Sequence, residues 1–292
     1  MFLQFVVNGV IAGSIYALVA LGFTIIYRTV KFFHFAHGVV YTAGAYFAYT
    51  LFTFLHLHFV LCFLLAAVFT AILGIGMDKL VYYPLRIRKA SNLVLLLASF
   101  GIYIFLQNLI ALIYGNQVLV LRTGPIKEGY KFFTAVITPT QLTILVVSIL
   151  LMFLLWFFIQ KTKLGKAMRA VADDPLAASV VGINPDKIIL ASFAIGSALA
   201  GVAGVLVSLE TNLEPTMGFS AILKGIIACI IGGIGSIPGA LFGGFFLGLV
   251  ENLGIWKIPS IWKDFISFAI LIIFLLIRPY GIFGTKPEKE EV

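Results

Sequence analysis

Charge is absent from seven long stretches of the chain, and no other feature limits the fold so severely. Residues 1–27, 32–77, 90–121, 132–160, 188–209, 225–250 and 265–277 hold no Asp, Glu, Lys or Arg, and together they cover about two thirds of the 292 residues. Soluble domains carry about 25% charged residues; here the figure is 11%. A bilayer core about 30 Å thick takes a helix of about 20 mostly apolar residues. The sequence therefore predicts an all-α polytopic membrane protein. A soluble enzyme, a secreted disulfide scaffold and a disordered chain are excluded.

The run from Phe32 to Met77 is about two spans long and breaks near Leu55-His56-Leu57-His58, which gives helices at about 35–55 and 58–77. Further spans fall at about 92–114, 139–160, 188–209 and 260–278. The first run has no basic residue before it and exceeds the roughly 7–15 apolar residues of a signal peptide, so it reads as a retained span. Phe219–Asn252 differs from the others. As one straight helix it would reach about 51 Å at 1.5 Å per residue, and Gly232-Gly233-Ile234-Gly235-Ser236-Ile237-Pro238-Gly239 interrupts it. The expectation is about eight hydrophobic segments, one of them a Gly/Pro-broken or re-entrant pair of half-helices that opens near mid-depth. Two readings of that pair stay open. Its glycines allow close helix packing, or its broken backbone lines a pathway, with Gly235, Ser236 and Pro238 as candidates.

The net charge of +8 does not indicate nucleic acid. That partner needs a basic face with interleaved readers, whereas these basic residues sit between apolar spans, as the positive-inside bias predicts. An outside N-terminus puts 28–31, 78–89, 161–187 and, if 219–252 folds back, the C-terminal tail inside, with 14 Lys and Arg against 6 outside. A full crossing at 219–252 gives 13 against 7, so this bias separates the two poorly. Cys62 and Cys229 both lie in apolar runs and read as small packing residues.

The longest inside loop, 161–187, carries helix punctuation. Asp174 suits an N-cap, Pro175 a first helical position and Gly182 a C-terminal stop. Asn184-Pro185-Asp186 then starts the next span. This predicts one short helix at about 175–181 with apolar Leu176, Val180 and Val181 and no membrane to bury them. Either it packs under its own bundle or, as favoured here, it docks in a groove on a cytoplasmic partner. On that reading Asp174, Pro175, Leu176, Ala177, Ala178, Val181 and Gly182 form a coupling element.

Ion-driven carriers place Asp or Glu inside the membrane, and here Glu210, Glu214, Glu251 and Asp264 all sit at span ends. There is no phosphate loop of the form G-x-x-x-x-G-K-[ST] either. No cofactor is expected, and the energy source is expected in a separate ATPase. His34 and His37 fall at i,i+3, on one face of an expected helix, after Arg28 and Lys31; two imidazoles do not make a metal site, which takes three or four ligands. Asn8, Ser14, Tyr16, His37, Ser99, Gln107 and Asn108 are the polar pathway candidates inside the apolar runs, where interhelical hydrogen bonding competes as the explanation.

Several motifs are together familiar. Asn8-Gly9 through Gly22 with Gly13-Ser14-Ile15-Tyr16-Ala17-Leu18, Phe35-Ala36-His37-Gly38, Tyr83-Pro84-Leu85-Arg86, Ala98-Ser99-Phe100-Gly101 and Leu106-Gln107-Asn108 resemble the branched-chain amino-acid ABC-importer permeases. So do Met168–Pro175, Gly182-Ile183-Asn184, Gly232–Ala240 and Arg278–Gly284. The resemblance runs along the whole chain, closest to the shorter of that importer's two permeases. It implies one permease domain over 1–292 with 161–187 as its ATPase-coupling loop, in the plasma (inner) membrane. The implied partners are a homologous second permease, two cytoplasmic ATPases, an extracytoplasmic binding protein and membrane lipid, with leucine, isoleucine or valine as cargo. Urea, short amides or another amino acid are the alternative cargo within the family; an ion-coupled carrier is the alternative from another class. The general importer loop pattern begins Glu-Ala-Ala, and here Leu176-Ala177-Ala178 stands in its place, which implies apolar docking rather than an ion pair.

Overall fold

The structure, a computed structural model, describes residues 2–121, 129–132 and 134–284. Seven helices are long and apolar enough to cross a membrane, and one shorter apolar helix accompanies them among the described residues. The helices in chain order are α1 (Phe2–Val30), α2 (His37–Thr53), α3 (Phe59–Met77), α4 (Tyr83–Ile87), α5 (Asn92–Tyr114) and α6 (Pro139–Lys161), followed by α7 (Lys163–Asp173), α8 (Pro175–Val180), α9 (Pro185–Ser208), α10 (Met217–Gly232), α11 (Ile237–Gly254) and α12 (Lys263–Ile277). α3 and α4 form one continuous rod through a π-turn at Asp78–Tyr82. A hairpin of β1 (Tyr130–Phe132) and β2 (Ala135–Ile137) lies against the Phe2 end of α1, where Gln4 bonds both the N–H and the carbonyl of Val136.

α1 is the central helix, buried along most of its length, with α9, α10 and α11 around it. Small residues set those approaches. A Cβ on Gly244 would lie 2.5 Å from the Cα and N of Ala17, and one on Gly13 would lie 2.8 Å from the Cα of Phe245. α11 therefore packs backbone to backbone on α1, the geometry small-xxx-small spacing permits. α3, α5, α6 and α12 turn large apolar side chains outward, among them Leu64, Ile72, Phe105, Leu112, Phe153 and Leu276. Such a surface suits lipid and no aqueous phase.

The Gly/Pro segment opens a helix pair, but not at mid-depth. α10 ends at Gly232, residues 233–236 turn, and α11 returns antiparallel with Gly239 against Gly232 and Gly243 against Ala228. The turn lies beside Arg28, and Ile282 and Phe283 bond the carbonyls of Ile231 and Gly232. It therefore sits at the Val30 end of α1. α10 starts inside the bundle, with Gly218 against the carbonyl of Gly38 at the start of α2, and its 16 residues reach only about 24 Å. Glycine conformation is required at Gly233 and Gly235, with φ of 109° and 82°. The pair makes no net crossing, so residues 281–284 share an end with the basic loops. Lys286 and Lys289, counted with that tail, lie outside the described residues.

The 161–187 loop holds two helices where one was expected. α7 begins at Thr162, whose hydroxyl accepts from the N–H of Gly165, and it buries Met168, Val171 and Ala172. The period of those apolar residues is helical and was readable. The charges around them obscured it.

Candidate functional site

A cavity of about 480 Å³ opens between α1, α2, α9 and α10 toward the Phe2 end of α1. One face of α1 supplies Asn8, Ile11, Ala12, Ile15, Tyr16 and Val19, the spacing of a helix stripe. Val207, Met217 and Ala221 extend the apolar wall, while Gln141, Glu210, Ser220, Lys224, Asn252 and Lys263 make the rest polar. Tyr16 stands about 21 Å along α1 from Phe2 at 1.5 Å per residue, so the cavity reaches well into the bundle.

A charged cluster borders it. Lys224 Nζ lies 3.3 Å from Glu251 Oε1, 3.2 Å from Asp264 Oδ1 and 3.2 Å from the Tyr16 hydroxyl, and it sits 5.3 Å from the centroid of the Tyr16 ring. Tyr16 donates to Glu251 Oε2 at 2.8 Å, and Ser267 donates to Glu251 Oε1. Glu251 is fully buried, Lys224 nearly so, and Asp264 is mostly exposed. A buried ion is tolerated only when it is paired and its remaining hydrogen-bonding capacity is met. Four helices (α1, α10, α11 and α12) meet here for that reason. The α10–α11 hairpin sets Ala228 beside Gly243, so Lys224 and Glu251 stand about one turn apart in level, a gap that two long side chains bridge.

Sequence reasoning missed this cluster. Charged residues bound the apolar runs by definition, so Lys224, Glu251 and Asp264 fell at segment edges. Glu251 does lie in the last turn of α11, yet it is enclosed by protein. Contrary to the expected absence of interior carboxylates, one is present, held against a lysine. The signal that could have found it is a lysine and a glutamate on either side of a glycine-rich turn.

The predicted pathway residues separate. Asn8 and Tyr16 line the cavity. Ser14 is buried and donates to the carbonyl of Ile11. Ser99 accepts from the N–H of Ala36, and His37 Nε2 meets the carbonyl of Val19 at 3.2 Å. Gln107 is half-buried and Asn108 exposed on α5, where Asn108 donates to the carbonyl of Ile104. Gly235, Ser236 and Pro238 lie at the other end of α11 from the cavity, where the Ser236 hydroxyl caps α11 by accepting from Gly239. His34 and His37 do not share a helix face. Residues 31–36 are non-helical, α2 starts at His37, and the two rings are 6.1 Å apart, with the Tyr82 hydroxyl 3.0 Å from His34 Nδ1.

At the opposite end, Asp174 Oδ1 accepts from the N–H groups of Leu176 and Ala177 at 2.7 and 3.0 Å and starts α8. Pro175 is its first residue, and Gly182 follows at φ 86°. Leu176, Val180 and Val181 are 79%, 87% and 73% exposed, whereas Ala178 is buried and faces the chain itself. Arg28 pairs with Asp173 at 3.7 Å and Arg86 with Asp186 at 3.9 Å, which gathers loops 28–31, 78–89 and 161–187 on one end.

A multi-pass helical bundle with a polar cavity inside it and a capped helix presented at one end defines the class: a membrane permease. The chain belongs to the family described as branched-chain amino acid transport system / permease component, whose model matches residues 5–275. It is 38% identical over 304 residues to the high-affinity branched-chain amino acid transport system permease protein LivH of Escherichia coli strain K12, covering 100% of this chain and 98% of that protein. It is 39% identical, at the same coverage, to the corresponding protein BraD of Pseudomonas aeruginosa. The probable branched-chain amino acid transport permease protein LivH of Methanocaldococcus jannaschii is 32% identical over 97% of this chain and 92% of its own length. No solved structure matches the chain.

Proposed function

We propose that this chain is the membrane subunit of an ATP-binding-cassette importer that carries leucine, isoleucine and valine into the cell. The observation that carries the reading is the full-length similarity to high-affinity branched-chain permeases. The aliphatic wall of the cavity, with Ile11, Ile15 and Val19, is compatible with such cargo. The whole chain acts as one permease domain, and residues 161–187 are its coupling loop. One of two cytoplasmic ATPases docks on α8 through Leu176, Val180 and Val181, with Asp174, Pro175 and Gly182 fixing the helix; Ala178 forms its buried inner side, and Ala177 is exposed. A homologous second permease closes the pathway, and an extracytoplasmic binding protein delivers the amino acid. The N-terminus is outside and the coupling loop and residues 281–284 are cytoplasmic, in keeping with the basic residues at that end. Catalysis of ATP hydrolysis belongs to the partners.

Competition uptake by the complete complex tests the cargo. Unlabelled isoleucine and valine compete with labelled leucine, and urea does not. Urea uptake with no leucine uptake would replace this reading by the amide one.

A further inference from the structure

The acceptors on Lys224 are unequal. Glu251 is fully enclosed and held by Tyr16 and Ser267 as well as by Lys224. The Asp264 side chain is 67% exposed, and Lys224 is its one ion-pair partner among the described residues. A pair with one exposed member contributes little stability, so Asp264 is the acceptor that can be exchanged. Lys224 lines the cavity together with the aliphatic residues Ile11, Ile15 and Val19, and Asp264 adjoins that wall through its pair with Lys224.

We infer that Lys224 and Asp264 form an exchangeable ion pair that opens around one transported amino acid: Lys224 takes the α-carboxylate and Asp264 the α-ammonium. The branched side chain lies against Ile11, Ile15 and Val19. The inserted molecule is neutral overall, so every charge keeps an opposite neighbour and Glu251 stays in place to orient Lys224. A cavity of about 480 Å³ accommodates one such molecule with water. This inference rests on the reading of the chain as an amino-acid permease and adds the residues that hold the cargo.

The test uses the assembled permease–ATPase complex without its binding protein. Ser220, exposed on the cavity wall, is replaced as Ser220→Cys and labelled with a maleimide; the buried Cys62 and Cys229 give the background measured in the parent complex. Leucine slows labelling as one plus its concentration over Kd, about threefold at twice Kd. Leucinamide, which lacks the carboxylate, and 4-methylpentanoate, which lacks the ammonium, do not. Asp264→Asn, at an exposed position that tolerates change, abolishes the leucine effect. Unchanged labelling in leucine, in a complex that imports leucine when its binding protein is added, overturns this inference and leaves the proposed function standing. Equal protection by 4-methylpentanoate also overturns it. Absence of leucine import from that complex removes the proposed function and this inference with it.

Discussion

Glu251 holds four helices together, and its replacement gives a graded prediction. Glu251→Leu removes the carboxylate that meets Lys224 at 3.3 Å and accepts from Tyr16 at 2.8 Å and from Ser267. Lys224 then keeps only the exposed Asp264 and the Tyr16 hydroxyl, and the Ser267 hydroxyl falls back on the carbonyl of Lys263. Breaking a buried pair on one side costs about 3–5 kcal/mol. Glu251→Gln preserves shape and one acceptor oxygen but loses the charge, which costs about 1.5–3 kcal/mol for hydrogen bonds to an ion. The double replacement Lys224→Met with Glu251→Leu leaves no stranded ammonium, so it is less damaging than Glu251→Leu alone. Unfolding of the purified protein in mild detergent, titrated with a denaturing detergent, measures all of these and Lys224→Met alone against the parent. The expected order of stability is parent, Glu251→Gln, the double variant, then Glu251→Leu. If the double variant equals the sum of its single changes within about 0.5 kcal/mol, the two charges do not interact and the account of the cluster is wrong.

Three further outcomes are expected. Gly244→Ala puts a Cβ 2.5 Å from the Ala17 backbone, so α11 must move by about 0.9 Å to reach ordinary contact, and overpacking costs about 1–3 kcal/mol; Gly101→Ala, with nothing within 4 Å, leaves the melting temperature unchanged or higher. Leu176→Asp with Val180→Asp leaves the permease folded but loses co-purification of the ATPases, whereas Ala178→Glu, at a buried position, lowers stability; normal ATPase retention in the first variant would refute docking on that face. Asp174→Ala removes two capping bonds and costs about 1 kcal/mol, seen as faster amide exchange confined to 176–180.

The apolar spans were legible because lipid imposes a strict length and composition on them. The break after Thr53 and the α8 cap at Asp174 were equally plain, since each is set by neighbours in sequence. Depth was not legible. Whether the turn at Gly233–Ser236 lies at mid-membrane depends on where α10 starts, which the contact between Gly218 and Gly38 decides. Burial was also hidden at the cluster, because Lys224 and Asp264 are 40 residues apart and meet only through the hairpin and the return of α12. Of the polar candidates, Asn8 and Tyr16 fall on the α1 stripe that faces the cavity, and Asn108 falls on an outward face of α5. All three are polar residues in apolar runs, and only the packing of neighbouring helices separates them.

On the proposed function, the energy that moves a branched amino acid comes from outside this chain. Proteoliposomes containing the chain, its second permease and the ATPases, with binding protein outside, test it directly. Leucine accumulation is expected to require ATP on the ATPase side and not to follow an imposed proton or sodium gradient. Uptake driven by such a gradient in liposomes without the ATPases would contradict it.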